Sequence, residues 1–240
     1  MVKPSVSDIK PASGHNTFVV IVAAGSGTRF GADTPKQFLD LDGKPVLQHS
    51  VDTFRHALPD AEIILVLSPD RVAYWTDICL RNNYFLPRIT EGGASRSESV
   101  HNALRTLNTN SSSVVMIHDG ARPLVSEIMI RRIADQFSMP FTEAVVPTIP
   151  LTEAIAEKIT GGVRSADRSR FKTVQTPQAF LAEPLLRFYN EAEGKELPDD
   201  AAIFSLIGGK TIIDVEGDRR NIKITNPDDI KLASFLRNLK

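Results

Sequence analysis

The stretch from Phe18 through Val-Val-Ile-Val to Ala24 constrains the fold more than any other part of the chain. It is apolar without interruption, so neither face of a strand built from it is left for water. It stops at Gly25, too soon for a core helix. It therefore reads as a strand buried on both faces, which requires helices on both faces of a parallel sheet. Similar runs follow at Glu62–Ser68, Val114–His118 and Ala144–Pro147. Between them the apolar spacing is helical: Val46, Leu47, Val51, Phe54 and Leu58 repeat along 45–58, with Pro45 at its start and Pro59 beyond its end. Further helices are predicted around 70–83, 95–107 and 126–137. This alternation predicts right-handed βαβ crossovers in a doubly wound, mostly parallel α/β sheet.

After Pro147 the pattern changes. Residues 148–173 read as a β-hairpin around Gly161-Gly162, rich in charge and poor in large apolar groups. Such a hairpin is stable only when packed on something, and the chain offers no second core, so it is expected to pack on another copy of the chain. A helix near 183–193 and strands at 210–215 and 221–225 follow. The last helix is expected to start with Asn226 as N-cap, Pro227 in the first position and Asp228 and Asp229 in the first turn. With 240 residues, 42% of them hydrophobic, the chain suits one domain over 17–240. Residues 1–16 carry Lys3 and Lys10 but no apolar segment, and are expected to be a mobile tail rather than a signal peptide. No apolar stretch near the start approaches the roughly 20 residues of a membrane span, and a cytoplasmic setting is expected.

Charge and cysteine content narrow the chemistry. The net charge of −1 gives no basic field for nucleic acid or an anionic membrane. Phosphate chemistry would need cations concentrated locally. The single cysteine, Cys79, excludes a multi-thiolate metal site and reads as a small core residue. The five histidines have no zinc-motif spacing.

Five stretches are candidates for the site. Ala23-Ala24-Gly25-Ser26-Gly27-Thr28-Arg29, with Pro35-Lys36-Gln37 behind it, follows the first buried strand, where open α/β sheets bind ligands. Its glycines admit close approach of backbone N–H groups to phosphate oxygens, and Arg29 and Lys36 add two cations. Phe30 excludes the dinucleotide fingerprint, and Phe204 stands where a Walker loop ending at Gly209-Lys210-Thr211 needs glycine. Gly92-Gly93-Ala94-Ser95-Arg96-Ser97-Glu98-Ser99 feeds a helix start; it reads equally as a capping box and as an anion or base-edge site. His118-Asp119-Gly120-Ala121-Arg122-Pro123 ends the third buried strand. A carboxylate there is a natural Mg²⁺ ligand, and strand alternation separates the faces of His118 and Asp119. Arg122 reads as a loop-fixing ion pair or a site cation. Asp167-Arg168, backed by Thr173-Val-Gln-Thr176-Pro-Gln178, and Gly217-Asp218 through Lys223 to Thr225 complete the set. Asp218 is a possible second metal ligand, and Lys223 reaches a phosphate if its face turns inward.

Taken in order, AAGSGTRF, PKQF, GGASRSESV, HDGARP, TPQAF, DDA and GDRRNIKIT resemble the 2-C-methyl-D-erythritol 4-phosphate cytidylyltransferases over roughly residues 17–240. The ribitol-5-phosphate cytidylyltransferases share the fold and most motifs. Ala23-Ala24-Gly25 and the Gly120-Ala121 pair favour the erythritol-phosphate family. The resemblance implies a Rossmann-like fold of the nucleotide-diphosphosugar transferase type, with 148–173 as a homodimerisation arm. It implies CMP transfer from CTP to a polyol phosphate with Mg²⁺ as cofactor. Arg29 and Lys36 then correspond to the pair that stabilises the α-phosphate in the transition state. Ala23, Ala24, Gly25 and Gly27 correspond to the triphosphate loop, and Gly92, Ala94, Arg96 and Ser99 to the cytidine pocket. Asp119 corresponds to the main metal ligand, with Asp218 beside it, and Arg168, Thr176 and Lys223 to the residues that position the sugar phosphate. Pro198 stands where the family often has a threonine, which removes a hydroxyl contact. A catalytically inactive nucleotide-binding module of the same fold is the remaining alternative.

Overall fold

The computed structural model describes residues 16–25, 35–193, 195 and 197–239. Expectations for residues 1–15 and for Gly27 and Arg29 lie outside the described residues. The strands are β1 (Thr17–Val22), β2 (Asp40–Leu41), β3 (Lys44–Pro45), β4 (Glu62–Leu67), β5 (Arg88–Glu91) and β6 (Val114–Asp119). They continue with β7 (Ala144–Pro150), β8 (Ile155–Ile159), β9 (Gly162–Ala166), β10 (Lys172–Val174), β11 (Gln178–Leu181) and β12 (Ile213–Glu216). The helices are α1 (Val46–Ala57), α2 (Pro69–Arg81), α3 (Arg96–Leu104), α4 (Glu127–Asp135), α5 (Ala182–Glu191), the single turn α6 (Asp200–Ala202) and α7 (Asp228–Asn238).

The central sheet runs β10-β7-β11-β6-β1-β4-β5, with β12 also paired to β7. β5, β4, β1 and β6 are parallel. β11 inserts antiparallel between β6 and β7, and β10 is antiparallel to β7. The mostly parallel sheet is therefore as expected, with two reversed strands. β1 shows why: Val19 and Ile21 pack with Leu47, Phe54, Trp75 and Ile133 on one face. Phe18 and Val20 pack with Val100, Leu104, Phe188 and Phe204 on the other. Cys79 belongs to the first of these cores, and burial pushes its thiol up to about 11.

Strand order reverses at β1. One crossover leads from β1 through α1 to β4, and a later one returns through α3 to β6 on β1's other side. This topological switch point opens a crevice at the carboxyl ends of β1 and β6.

Several expectations need correction. Residues 221–225 form no strand: the segment buries Asn221 and Ile224, three apart; the amides of Asn221 and Ile222 bond back to Asp218 O and Arg220 O, and that of Ile224 to Ala121 O. β12 starts at Ile213, and Lys210 instead pairs with Glu143. Pro45 lies in β3 with extended backbone, so α1 begins one residue later. Asn226 does not cap α7 with its side chain; Asp229 reaches back to the amides of Thr225 and Asn226. β5 was not anticipated, because Arg88-Ile-Thr-Glu91 is a polar edge strand without the apolar run of its neighbours. The hairpin of β8 and β9 turns at Gly161, whose φ of +82° is a left-handed conformation suited to glycine.

Candidate active site

β1, β5 and β6 each end at a motif on this side of the sheet. Gln37 is buried, and its Nε2 donates to Ala23 O at 2.7 Å and Gly25 O at 3.2 Å. This holds Ala23 and Gly25, which leave β1, against the 3₁₀ turn Lys36–Phe38. Burial would raise the Asp229 carboxyl, but the amides of Thr225 and Asn226, the Thr225 hydroxyl and, least, the charge of Lys36 hold it below its usual value. Gly92 is tied to β4 through Leu67 O. A Cβ on Gly92 would meet Ala24 Cβ at 2.4 Å and Ser99 Oγ at 3.0 Å, so only glycine permits this approach. Ala24, Gly92 and Ser99 are thereby brought together. Ser95 caps α3 by accepting from Glu98 N, while Glu98 Oε2 accepts from Ala94 N at 2.7 Å.

The centre of the crevice is Asp119, the last residue of β6. Its Oδ1 accepts from Arg96 Nε at 3.2 Å, and its Oδ2 lies 2.9 Å from Lys223 Nζ and 3.5 Å from Arg122 Nε. Burial alone would raise its carboxyl, but Arg96, then Lys223 and Arg122, outweigh that and hold it far below the usual carboxylate range. Arg96 is shared. Its Nη1 and Nη2 donate to the two oxygens of Asp200, at 3.1 Å and 2.8 Å, and Asp200 is fully buried. The Tyr189 hydroxyl also donates to Asp200. Three cations thus face two carboxylates, leaving one net positive charge at the strand ends.

Thr176 adjoins this group: its hydroxyl oxygen accepts from Asp119 N at 3.1 Å, and it is buried. His118 turns to the opposite side, as alternation requires, with its ring against Phe54. Burial pulls its pKa down to about 4. Asp218 is held by its backbone, between Gln175 Oε1 and Nε2, and its carboxylate binds Arg220 at 3.1 Å. Among the described residues Arg168 is not joined to this cluster; its guanidinium donates to Thr152 O at the foot of the hairpin.

Among the described residues, no three His, Cys, Asp or Glu side chains form a cage for a metal. A lone carboxylate at a strand end still fits a hard cation that takes one or two carboxylates and completes its shell with phosphate oxygens and water. Asp119 offers that, and its oxygens already face cations here. Asp218 offers less, since its carboxylate is engaged by Arg220.

Two contributors were not singled out from the sequence as site residues. Asp200 sits in the quoted DDA stretch, and its burial was the missing information. Asn221 is buried, and its Nδ2 holds Thr176 O at 2.9 Å while Arg122 Nη1 holds its carbonyl at 2.9 Å. It thus fastens the Lys223 loop to β6.

A switch-point crevice with a glycine-bearing loop and clustered cations defines a phosphate-handling, nucleotide-binding α/β enzyme. The family model described as 2-C-methyl-D-erythritol 4-phosphate cytidylyltransferase matches residues 17–238. A relative of that name from Azobacteroides pseudotrichonymphae is 40% identical over 223 residues, covering 91% of this chain and 97% of its own. One from Bacteroides fragilis is 38% identical over 218 residues, covering 90% and 97%. The crystal structure of 4-diphosphocytidyl-2C-methyl-D-erythritol synthase from Anaerococcus prevotii superposes with a TM-score of 0.78 at 26% identity, covering 93% of this chain and 99% of that one. The Thermus thermophilus cytidylyltransferase gives 0.72 at 28%, covering 94% and 100%. The chain belongs to the 2-C-methyl-D-erythritol 4-phosphate cytidylyltransferase family.

Proposed function

We propose that this chain transfers CMP from CTP to 2-C-methyl-D-erythritol 4-phosphate, releasing pyrophosphate and forming 4-diphosphocytidyl-2-C-methyl-D-erythritol for isoprenoid synthesis. The observation that carries this reading is Asp119 at the switch point, ringed by Arg96, Arg122 and Lys223. A phosphate monoester oxygen of the acceptor bonds to the α-phosphorus of CTP as the bond to the bridging oxygen of pyrophosphate breaks. The obstacle is electrostatic, because two unit charges about 4 Å apart repel by about 4 kcal/mol at an effective dielectric near 20. Lys36 with Arg29, and Lys223 with Arg168, supply the opposing charge. The acceptor's second phosphate pKa is about 6, so it is already largely dianionic near neutrality and needs no general base. Catalysis is then positioning plus charge stabilisation.

Asp119 would hold Mg²⁺ together with nucleotide phosphate oxygens, and the ion would neutralise triphosphate charge. The β8–β9 hairpin supports a homodimer: both its strands are almost wholly exposed, and Ile159, Val163, Phe171 and Val174 leave apolar surface on and beside it. Arg168 would then serve a partner's crevice. No helix of the described residues is long and apolar enough to cross a membrane, in keeping with work in the cytoplasm.

The test is pyrophosphate release from CTP with 2-C-methyl-D-erythritol 4-phosphate or ribitol 5-phosphate as acceptor. Turnover with the first and little with the second is expected. Preference for the ribitol ester would reassign the acceptor, and CTP binding without release would leave a nucleotide-binding module.

A further inference from the structure

Under the Asp119 carboxylate runs a short hydrogen-bond chain whose proton directions are forced by its two ends. The carbonyl of Arg122 can only accept, so His118 Nε2, 3.2 Å away, carries a proton. The amide of Asp119 can only donate, so Thr176 Oγ1, 3.1 Å away, accepts there. The His118 ring is fully buried and meets Phe54, the Arg122 carbonyl and the Thr176 hydroxyl, a setting for a neutral imidazole. With its one proton on Nε2, the ring offers Nδ1 as an acceptor 3.1 Å from Thr176 Oγ1. The only proton of the Thr176 hydroxyl is therefore committed to His118.

The sheet register explains what this arrangement replaces. β11 pairs Gln178 with Ile117, so continuing the antiparallel register by two residues would set Thr176 opposite Asp119. The Thr176 carbonyl is instead turned to Asn221 Nδ2. The hydroxyl takes the place of that carbonyl and closes the rung at Asp119. The opposite side of β6 is fixed by its register with β1, where Asp119 lies beside Val22.

We propose that His118 is a positioning residue acting through Thr176. Its Nδ1 orients the threonine hydroxyl, which anchors the backbone of Asp119 and so aims its carboxylate among Arg96, Arg122 and Lys223. Thr176 then acts on Asp119 and has no proton to give a substrate phosphate. This deepens the proposed function and relies on it only for the meaning of Asp119.

The direct test is ¹⁵N–¹H NMR of the imidazole side chains in the full chain without ligands, near pH 7.5. His118 is expected as the Nε2–H tautomer, with Nδ1 unprotonated. Thr176→Val should shift the Nδ1 resonance, and Thr176→Ser should leave it in place. A protonated Nδ1, or a resonance indifferent to Thr176→Val, overturns the proposal whatever the enzyme turns over. In the pyrophosphate assay, Thr176→Val should lower kcat by about ten- to a hundredfold, as a displaced site group does. The KM for CTP should stay within about twofold, and Thr176→Ser should restore turnover. Combining His118→Gln with Thr176→Val should cost no more than the worse single change, whereas multiplied losses would mean independent roles and refute the relay. Should His118→Gln fail to fold, the NMR spectrum and the valine–serine pair still decide. If the tautomer is as expected but no acceptor is turned over, the proposed function fails and the hydrogen-bond chain stands.

Discussion

Asp200→Asn is the sharpest test of how the crevice is built. Asp200 is fully buried and receives both terminal nitrogens of Arg96 as well as the Tyr189 hydroxyl. Removing one partner of a buried pair costs about 3–5 kcal/mol, because the other charge is left uncompensated. Arg96 keeps 29% of its side chain exposed and retains Asp119, so solvent screening takes the cost to or just below the bottom of that range, about 2–3 kcal/mol. For a chain of this length that corresponds to a Tm lower by roughly 4–12 °C. Urea unfolding without ligands should show the midpoint moving with an unchanged slope. Tyr189→Phe removes only the hydroxyl donor and should cost about 1.5–3 kcal/mol at most. Asp200→Asn also raises the net charge of this cluster from one to two. Arg96, held then by the Asp119 carboxylate and a single neutral amide oxygen, should lose its fixed orientation, and the KM for CTP should rise. A stability change under about 0.5 kcal/mol for Asp200→Asn would refute the claim that this carboxylate holds Arg96 in place.

Lys36→Ala should lower kcat by about two to three orders of magnitude, as loss of a preorganised charge donor does, and near-normal turnover would remove it from the mechanism. Arg168→Ala should raise the KM of the sugar phosphate and spare that of CTP; mixing it with Lys36→Ala should restore part of the activity if the hairpin crosses between subunits, and a fully active monomer by gel filtration would reject that exchange. Stability should fall as pH drops below 6.5. His118, neutral in the fold down to about 4, and His49, lowered first by burial, bind protons more readily when unfolded. Above 6.5 both are neutral in either state and the effect vanishes. For His118 the difference of about 2.5 pH units amounts to about 3 kcal/mol by pH 4, so unfolding midpoints at pH 7, 6 and 5 should decline, and less so in His118→Gln.

Much of the fold was legible because burial on both faces leaves an unmistakable sequence trace: β1, β4 and β6 each carry an unbroken apolar run, over 18–22, 63–67 and 114–117. The glycine loop after β1 and the His118-Asp119 stretch at the end of β6 were legible too, since each adjoins an apolar run, whereas Gly92-Gly93 follows the polar edge strand β5 and Thr176 precedes β11. Partner choice was not legible. Nothing local to Arg96 says that it bridges Asp119 and Asp200, residues 23 and 104 positions away. Asp200 read as part of a motif and became a buried anchor only when α3 brought Arg96 and α5 brought Tyr189 onto it. The segment 221–225 has the composition of a strand, yet Asn221 and Ile224 turn inward three apart because Thr176 and Ala121 take their backbone and side-chain bonds. Pattern in the chain thus determined the layers and the edge where chemistry sits, because hydrophobic periodicity is a local property. Which charges meet, and which protons point where, was decided by packing, since ion pairs and hydrogen bonds depend on distances that only the folded sheet sets.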